Sequence, residues 1–129
     1  MAFDPRTVAQ PVYTALRRLR DTTTEKERLS EQKSQAVELY TYLATWGLMR
    51  LKAEEQALSQ EGKKQVVKAF FNALEEISGV ANLANDRGLD TLKNLETDSY
   101  LGLTALGLQL AREFSFWTTA LYAGIKEAD

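Results

Sequence analysis

Residues 97–124 read TDSYLGLTALGLQLAREFSFWTTALYAG, and this stretch decides the fold. It contains no proline, and its apolar side chains do not alternate with polar ones as they would in a strand. Thr97 and Asp98 are residue types that cap helices, so we predict a final helix from Ser99 to about Gly124. Because apolar side chains occur on nearly every side of this helix, we expect it at the centre of a helical bundle or at a subunit interface.

The same stretch is long enough to cross a membrane, but its charges argue against a membrane span. Arg112 and Glu113 lie near its centre, where an ionised side chain would be costly in a bilayer. At the start of the chain, Asp4, Pro5 and Arg6 occupy the place where the apolar segment of a signal peptide would begin. We therefore expect a protein without a membrane span or a signal peptide.

Two helices are predicted in the first part of the chain. Asp4 followed by proline is a typical helix start, and apolar residues at helical spacing follow it. Thr24 and Glu27 have the spacing of a capping box, so we predict a second helix over about residues 25–46. The first half of this helix is very polar, and we expect it to project from the body or to pack on one side only. Gly47 then offers a helix end or a sharp bend.

Glycines divide the next part of the chain into two more helices. The third begins near Leu48, Gly62 separates it from the fourth, and Gly79 ends the fourth. Residues 80–98 contain glycine and asparagine at turn positions, which predicts a short helix and loops. The sequence therefore predicts an all-α fold, a compact bundle of five to six helices that forms a single domain over residues 1–129.

The composition excludes several kinds of active site. The chain has no cysteine and no histidine, so it lacks thiolate nucleophiles, zinc–sulfur sites, and the commonest general base and metal ligand. The paired glutamates Glu54-Glu55 and Glu75-Glu76 diverge by about a hundred degrees on a helix, so neither pair converges on one site. We expect surface glutamates, no metal, no cofactor, no small-molecule substrate and no enzyme, with an unusual carboxylate enzyme as the weakest alternative. The absence of cysteine also fits a cytoplasmic protein.

The basic residues carry the clearest functional signal. Net charge is −2, but residues 1–64 hold 11 basic and 9 acidic side chains, and residues 65–129 hold 5 and 9. Lysine and arginine on one face would follow a phosphate backbone without reading bases, although a surface that serves only solubility is the alternative. The candidate nucleic-acid-binding residues are Arg17, Arg18, Arg20, Arg50, Lys52, Lys63, Lys64 and Lys68.

Aromatic residues form a second, weaker signal. Most of them lie at helical spacing, and packing in the core explains those. Tyr42 and Phe71 lie off the apolar stripes, so they are the candidates for rings on which the bases of a single strand could stack.

Two segments carry short motifs that point to a known family. Residues 40–51 contain Trp46-Gly47-Leu48 at a predicted helix junction, and residues 100–123 contain Thr104-Ala105-Leu106 followed by Phe116-Trp117 and Tyr122-Ala123. These segments resemble the small helical subunit of multisubunit CRISPR effector complexes, in particular the type III-B (Cmr) small subunit or a related small subunit. That family has Asn-Gly-Leu at a helix junction and a closing helix that ends in a tryptophan and an aromatic–alanine pair. The chain departs from the family at Tyr40, Trp46 and Thr118-Thr119, where proline, asparagine and a basic pair are common.

The resemblance implies a non-catalytic subunit of an RNA-guided ribonucleoprotein. Copies would stack along the complex and hold guide–target nucleic acid by backbone contacts. The implied partners are guide RNA, target nucleic acid, other effector subunits and copies of the chain itself, and the charge polarity would suit head-to-tail stacking. The main alternative is a protein–protein adaptor or regulatory module without a nucleic-acid role. It would dock through the aromatic last helix and would depend on Phe116 or Trp117 instead of the basic residues.

Overall fold

The computed structural model describes residues 4–128 and is built from helices joined by short loops. The helices are α1 (Arg6–Thr22), α2 (Lys26–Trp46), α3 (Leu48–Ala57), α4 (Glu61–Ser78), α5 (Gly88–Asn94) and α6 (Thr97–Leu121). No strand occurs within residues 4–128, and the predicted all-α bundle of five to six helices is confirmed. Residues 1–3 and residue 129 of the predicted domain 1–129 lie outside the described residues.

Four helices, α1, α2, α4 and α6, form the main bundle, in which α6 packs against the other three. The Tyr122 hydroxyl at the end of α6 meets Gln32 near the start of α2, and Gly107 in the middle of α6 packs against Leu43 near the end of α2. These pairs show that α2 and α6 are antiparallel. The shorter helices are added on one side, where α3 packs against α4 and α5.

Glycines end two helices as the sequence predicts, whereas the predicted capping box is not formed. Gly47 has φ of 88° between α2 and α3, and Gly79 has φ of 75° after α4, values that favour glycine. The α2 helix begins at Lys26 with Glu25 at its cap and receives no side-chain cap. Thr24 therefore lies one residue before the cap position, and its hydroxyl does not cap the first turn of α2.

Within the described residues only one side of α6 is buried, although the helix packs against α1, α2 and α4. The other predicted place for this helix, a subunit interface, stays a prediction. The buried positions recur every three or four residues and are Leu103, Gly107, Leu110, Ala111, Phe114 and Thr118. On the opposite side, Leu101 and Phe116 are 59% and 58% exposed. The helix therefore lies at the surface between α1 and α2, with apolar side chains facing solvent.

Polar residues in the first half of α2 are buried, so this half does not project from the body, which was one of the two predicted alternatives. Gln32 is fully buried. Its amide Nε2 donates to Thr23 Oγ1 at 3.0 Å and to Gln65 Oε1 at 2.8 Å, and its Oε1 accepts from the Tyr122 hydroxyl at 2.8 Å. Burial is tolerated because both the donor and the acceptor of this amide have partners from other parts of the chain.

The C-terminal segment covers the same half of α2. Lys33 Nζ donates to the Ile125 carbonyl at 2.6 Å. Ser34 Oγ donates to the Ala128 carbonyl at 3.2 Å and accepts from the Ala128 amide at 2.6 Å. Polar residues of α2 thus serve as docking points for the end of the chain.

Alkaline pH should destabilise the protein through Tyr122. Burial raises the pKa of the Tyr122 hydroxyl well above its usual value of about 10. Because the unfolded chain loses this proton first as pH rises above 10, the Tyr122 contribution to stability is present below that pH and is lost above it. We expect Tyr122→Phe to be less stable than the wild type by about 1 kcal/mol at pH 8, and this gap to narrow at pH 10.5. Urea unfolding of both proteins at both pH values measures this difference in unfolding free energy. An equal difference at pH 8 and pH 10.5 would show that Tyr122 does not make stability depend on pH in this range.

Candidate nucleic-acid interface

The predicted arginine cluster of α1 divides between two sides of that helix. Arg18 faces α4 across a groove. Arg17 donates from Nε to Asp21 at 3.0 Å in an exposed ion pair. Arg20 lies near Tyr122 at the end of α6, where its positive charge opposes the rise in the pKa of the Tyr122 hydroxyl that burial causes. Since successive residues on a helix point about a hundred degrees apart, three arginines within four positions cannot share one face.

The groove between α1 and α4 brings two of the predicted cations together. Arg18 lines it from α1 and Lys68 from α4, and its volume is about 1100 Å³. Within the part of the chain that the structure describes, neither residue forms an ion pair. Lys64 lies one turn before Lys68, and Glu76 also lines the groove. The groove therefore offers a site for an anion at the Arg18–Lys68 pair and not along its whole length.

The other described residues that line the groove are polar or apolar, and none of them is aromatic. Its polar lining residues are Thr7, Gln10, Thr14, Thr22, Gln65 and Asn72, and its apolar lining residues are Pro11, Ala15, Leu19, Ala69 and Ala73. Amides and hydroxyls can donate to phosphate oxygens beside the two cations. None of these described residues offers a ring on which a base could stack.

Lys52 does not belong to an accessible basic surface, so this part of the predicted set needs correction. Its side chain is buried with 3% of the residue exposed. The Nζ donates to Glu55 Oε2 at 3.0 Å and to the Ala84 carbonyl at 3.1 Å, and it lies 5.0 Å from the centre of the Phe71 ring. Lys52 therefore ties α3 to the loop before α5, and in this conformation a phosphate cannot reach it.

The remaining predicted cations lie apart from the groove pair. The Arg50 guanidinium stacks on the exposed Trp46 ring at 4.1 Å from its centre, at the start of α3. Lys63 is half-buried in the first turn of α4. Neither lines the groove, so Arg18 and Lys68, with Lys64 nearby, are the part of the set that the fold assembles.

Of the two rings predicted as stacking platforms, neither is freely exposed. Phe71 is fully buried in the core. Tyr42 is half-buried, and its pKa is raised by burial and by the neighbouring Glu54. Among residues 4–128 the exposed rings are those of Tyr13, Trp46 and Phe116, none of which the sequence marks as a stacking residue.

The exposure of one of these rings, that of Phe116, can be predicted from the sequence. Tyr13 and Phe116 both pack edge to face on Trp117, with ring centres 5.7 Å and 5.3 Å apart. On α6, the buried positions that surround Phe114 follow helical spacing and leave Phe116 on the outer side. Strict use of that spacing identifies Phe116 as exposed.

Two of the paired glutamates have structural contacts that their prediction as surface residues missed. Glu75 Oε1 accepts from the Leu83 amide at 2.7 Å and the Ala84 amide at 3.2 Å, which holds the loop after α4. Glu55 pairs with Lys52. Among residues 4–128 no cluster of acidic side chains is arranged to hold a metal ion. Within the same residues, no helix has the length and apolarity that crossing a membrane requires.

Compared with known proteins, the chain matches no protein-family model, no curated protein and no solved structure.

Proposed function

We propose that the chain is a non-catalytic small subunit of a cytoplasmic RNA-guided CRISPR effector ribonucleoprotein. In this role, copies of the chain stack along the complex, contact other effector subunits, and hold guide–target nucleic acid by its backbone. The observation that carries the proposal is the Arg18–Lys68 pair, because these two exposed cations line one open groove and neither is paired with a carboxylate of residues 4–128. Cations in this arrangement attract phosphate irrespective of base sequence.

The packing of the two resembling segments supports the same proposal. The Tyr100 hydroxyl accepts from the Met49 amide at 3.2 Å, and Gly107 packs against the side chains of Leu43 and Leu48. The segments 40–51 and 100–123, on which the resemblance rests, thus contact each other where α2, α3 and α6 meet.

Charge reversal at the groove is the direct test. We expect the double variant Arg18→Glu, Lys68→Glu to weaken retention of nucleic acid and to flatten its salt dependence. The slope of log affinity against log salt concentration should fall by roughly 0.7–0.9 for each phosphate that the variant no longer neutralises. The measurement is a salt series of RNA-binding isotherms with the purified complex, and Lys93→Glu on α5 is the matched control, since it reverses an exposed charge far from the groove.

A second experiment, co-purification through a tag on the chain, identifies the partners. A tag after residue 129 should recover a uniform short RNA together with several larger protein subunits. Recovery of one protein partner without nucleic acid, or unchanged RNA retention by the double variant, would reject the proposal in favour of a protein-only adaptor.

A further inference from the structure

An exposed group of aromatic rings lies where α1 packs against α6, and none of these rings lines the α1–α4 groove. Tyr13 of α1 and Phe116 of α6 are 41% and 58% exposed, and each stands edge to face on Trp117, with interplanar angles of 81° and 85°. Arg17 and Arg112 lie one turn from Tyr13 and Phe116 on their own helices. We call these five residues the aromatic surface.

The two arginines of the aromatic surface are exposed on α1 and α6. The Arg112 guanidinium lies 5.0 Å from the centre of the Tyr40 ring, and its Nη2 donates to the Tyr40 hydroxyl at 3.1 Å. That contact orients the side chain without neutralising its charge. Arg17 is paired with Asp21 in an exposed ion pair, and phosphate can compete for such a pair because exposed ion pairs are weak.

The surroundings favour stacking of bases over docking of an apolar protein surface. The core of a protein interface is formed by adjoining apolar side chains and covers about 800 Å² on each partner. Among residues 4–128, the large apolar side chains that are exposed are Tyr13, Trp46, Met49, Leu101 and Phe116. Only two of these belong to the aromatic surface, and the exposed positions beside them on both helices include Gln10, Thr14, Gln109 and Thr119. Two separate rings between arginines match the requirements of unpaired bases and their phosphates.

We propose that the aromatic surface binds single-stranded RNA, with bases stacked on Tyr13 and Phe116 and phosphates held by Arg17 and Arg112. This inference rests on the proposed role in holding nucleic acid and adds a site that distinguishes a single strand from a duplex. The bases of an A-form duplex are stacked on one another, so they cannot reach the rings. The α1–α4 groove binds backbone in either form.

The test compares single-strand and duplex binding by the full chain. The probes are a fluorescein-labelled oligouridylate of about 16 nucleotides, the upper end of single-strand site sizes, and an RNA duplex of the same length. Phe116→Leu and Tyr13→Leu should each weaken oligouridylate binding by roughly 5- to 150-fold, the range that loss of one stacked base explains. Phe116→Tyr should retain wild-type affinity, because it keeps the ring. Duplex binding should not change in any of these variants.

Trp46→Leu is the matched control, because it removes an exposed ring whose face is already covered by Arg50. The proposal is overturned if the wild type binds no oligouridylate, if the leucine variants bind it normally, or if they lose duplex binding to the same extent. It is also overturned if Phe116→Leu instead abolishes association with a protein or with other copies while RNA binding is unchanged. The Arg18→Glu, Lys68→Glu variant separates the two proposals, since loss of RNA there with normal Phe116→Leu binding would retain the proposed function and reject the aromatic surface.

Discussion

Replacing Phe70 by alanine should cost about 3–5 kcal/mol of unfolding free energy, the range for removal of a fully buried aromatic side chain. Phe70 has no exposed surface and packs edge to face on Phe71 and Phe114, with ring centres 5.2 Å and 5.9 Å away. It joins α4 to α6, so the cavity left by alanine would lie where the bundle helices meet. Urea unfolding measures the effect as a lower midpoint with an unchanged slope.

Phe116→Ala is the matched control for Phe70→Ala. It removes the same atoms from a side chain that is 58% exposed and whose ring packs on Trp117. We expect a loss of about 1 kcal/mol or less. Equal losses at Phe70 and Phe116 would show that α6 buries a different face from the one described. A small effect at Phe116 also ensures that its variants remain folded for the RNA-binding experiments.

Helix order could be predicted from the sequence because its signals are local. Gly47 and Gly79 mark helix ends through their own backbone preference, and the apolar spacing within each helix indicates its buried face. The buried half of α2 could not be predicted in this way. Gln32 is buried because Gln65 and Tyr122 complete its hydrogen bonds, and these partners are distant in sequence.

The candidate site was predictable only in part, for two different reasons. The predicted set places Arg17 and Arg18 together although their helical positions diverge by about a hundred degrees, and this information is present in the sequence. Lys52 is a different case. Its burial depends on Glu55, one turn away, and on the Ala84 carbonyl, whose position is set by the loop that Glu75 holds. The burial of Lys52 could therefore be predicted only from the tertiary structure.

Alanine at Gly62 should destabilise the protein by about 1–3 kcal/mol, the usual cost of forcing an extra methyl group into a packed interior. A Cβ at Gly62 would lie 2.6 Å from the Arg28 carbonyl oxygen and from the Glu31 Cβ, so α4 would have to move away from α2. This movement would also weaken the hydrogen bond from the Gly62 amide to Glu31 Oε1, now 2.9 Å long, and would leave a buried carboxylate with fewer donors.

Gly102→Ala is the control, because no atom lies within 4 Å of the added Cβ, and helix propensity should stabilise the protein by about 1 kcal/mol. Thermal unfolding of both variants should therefore shift in opposite directions, and a shift in the same direction would contradict the close approach of α4 to α2 that buries the polar half of α2.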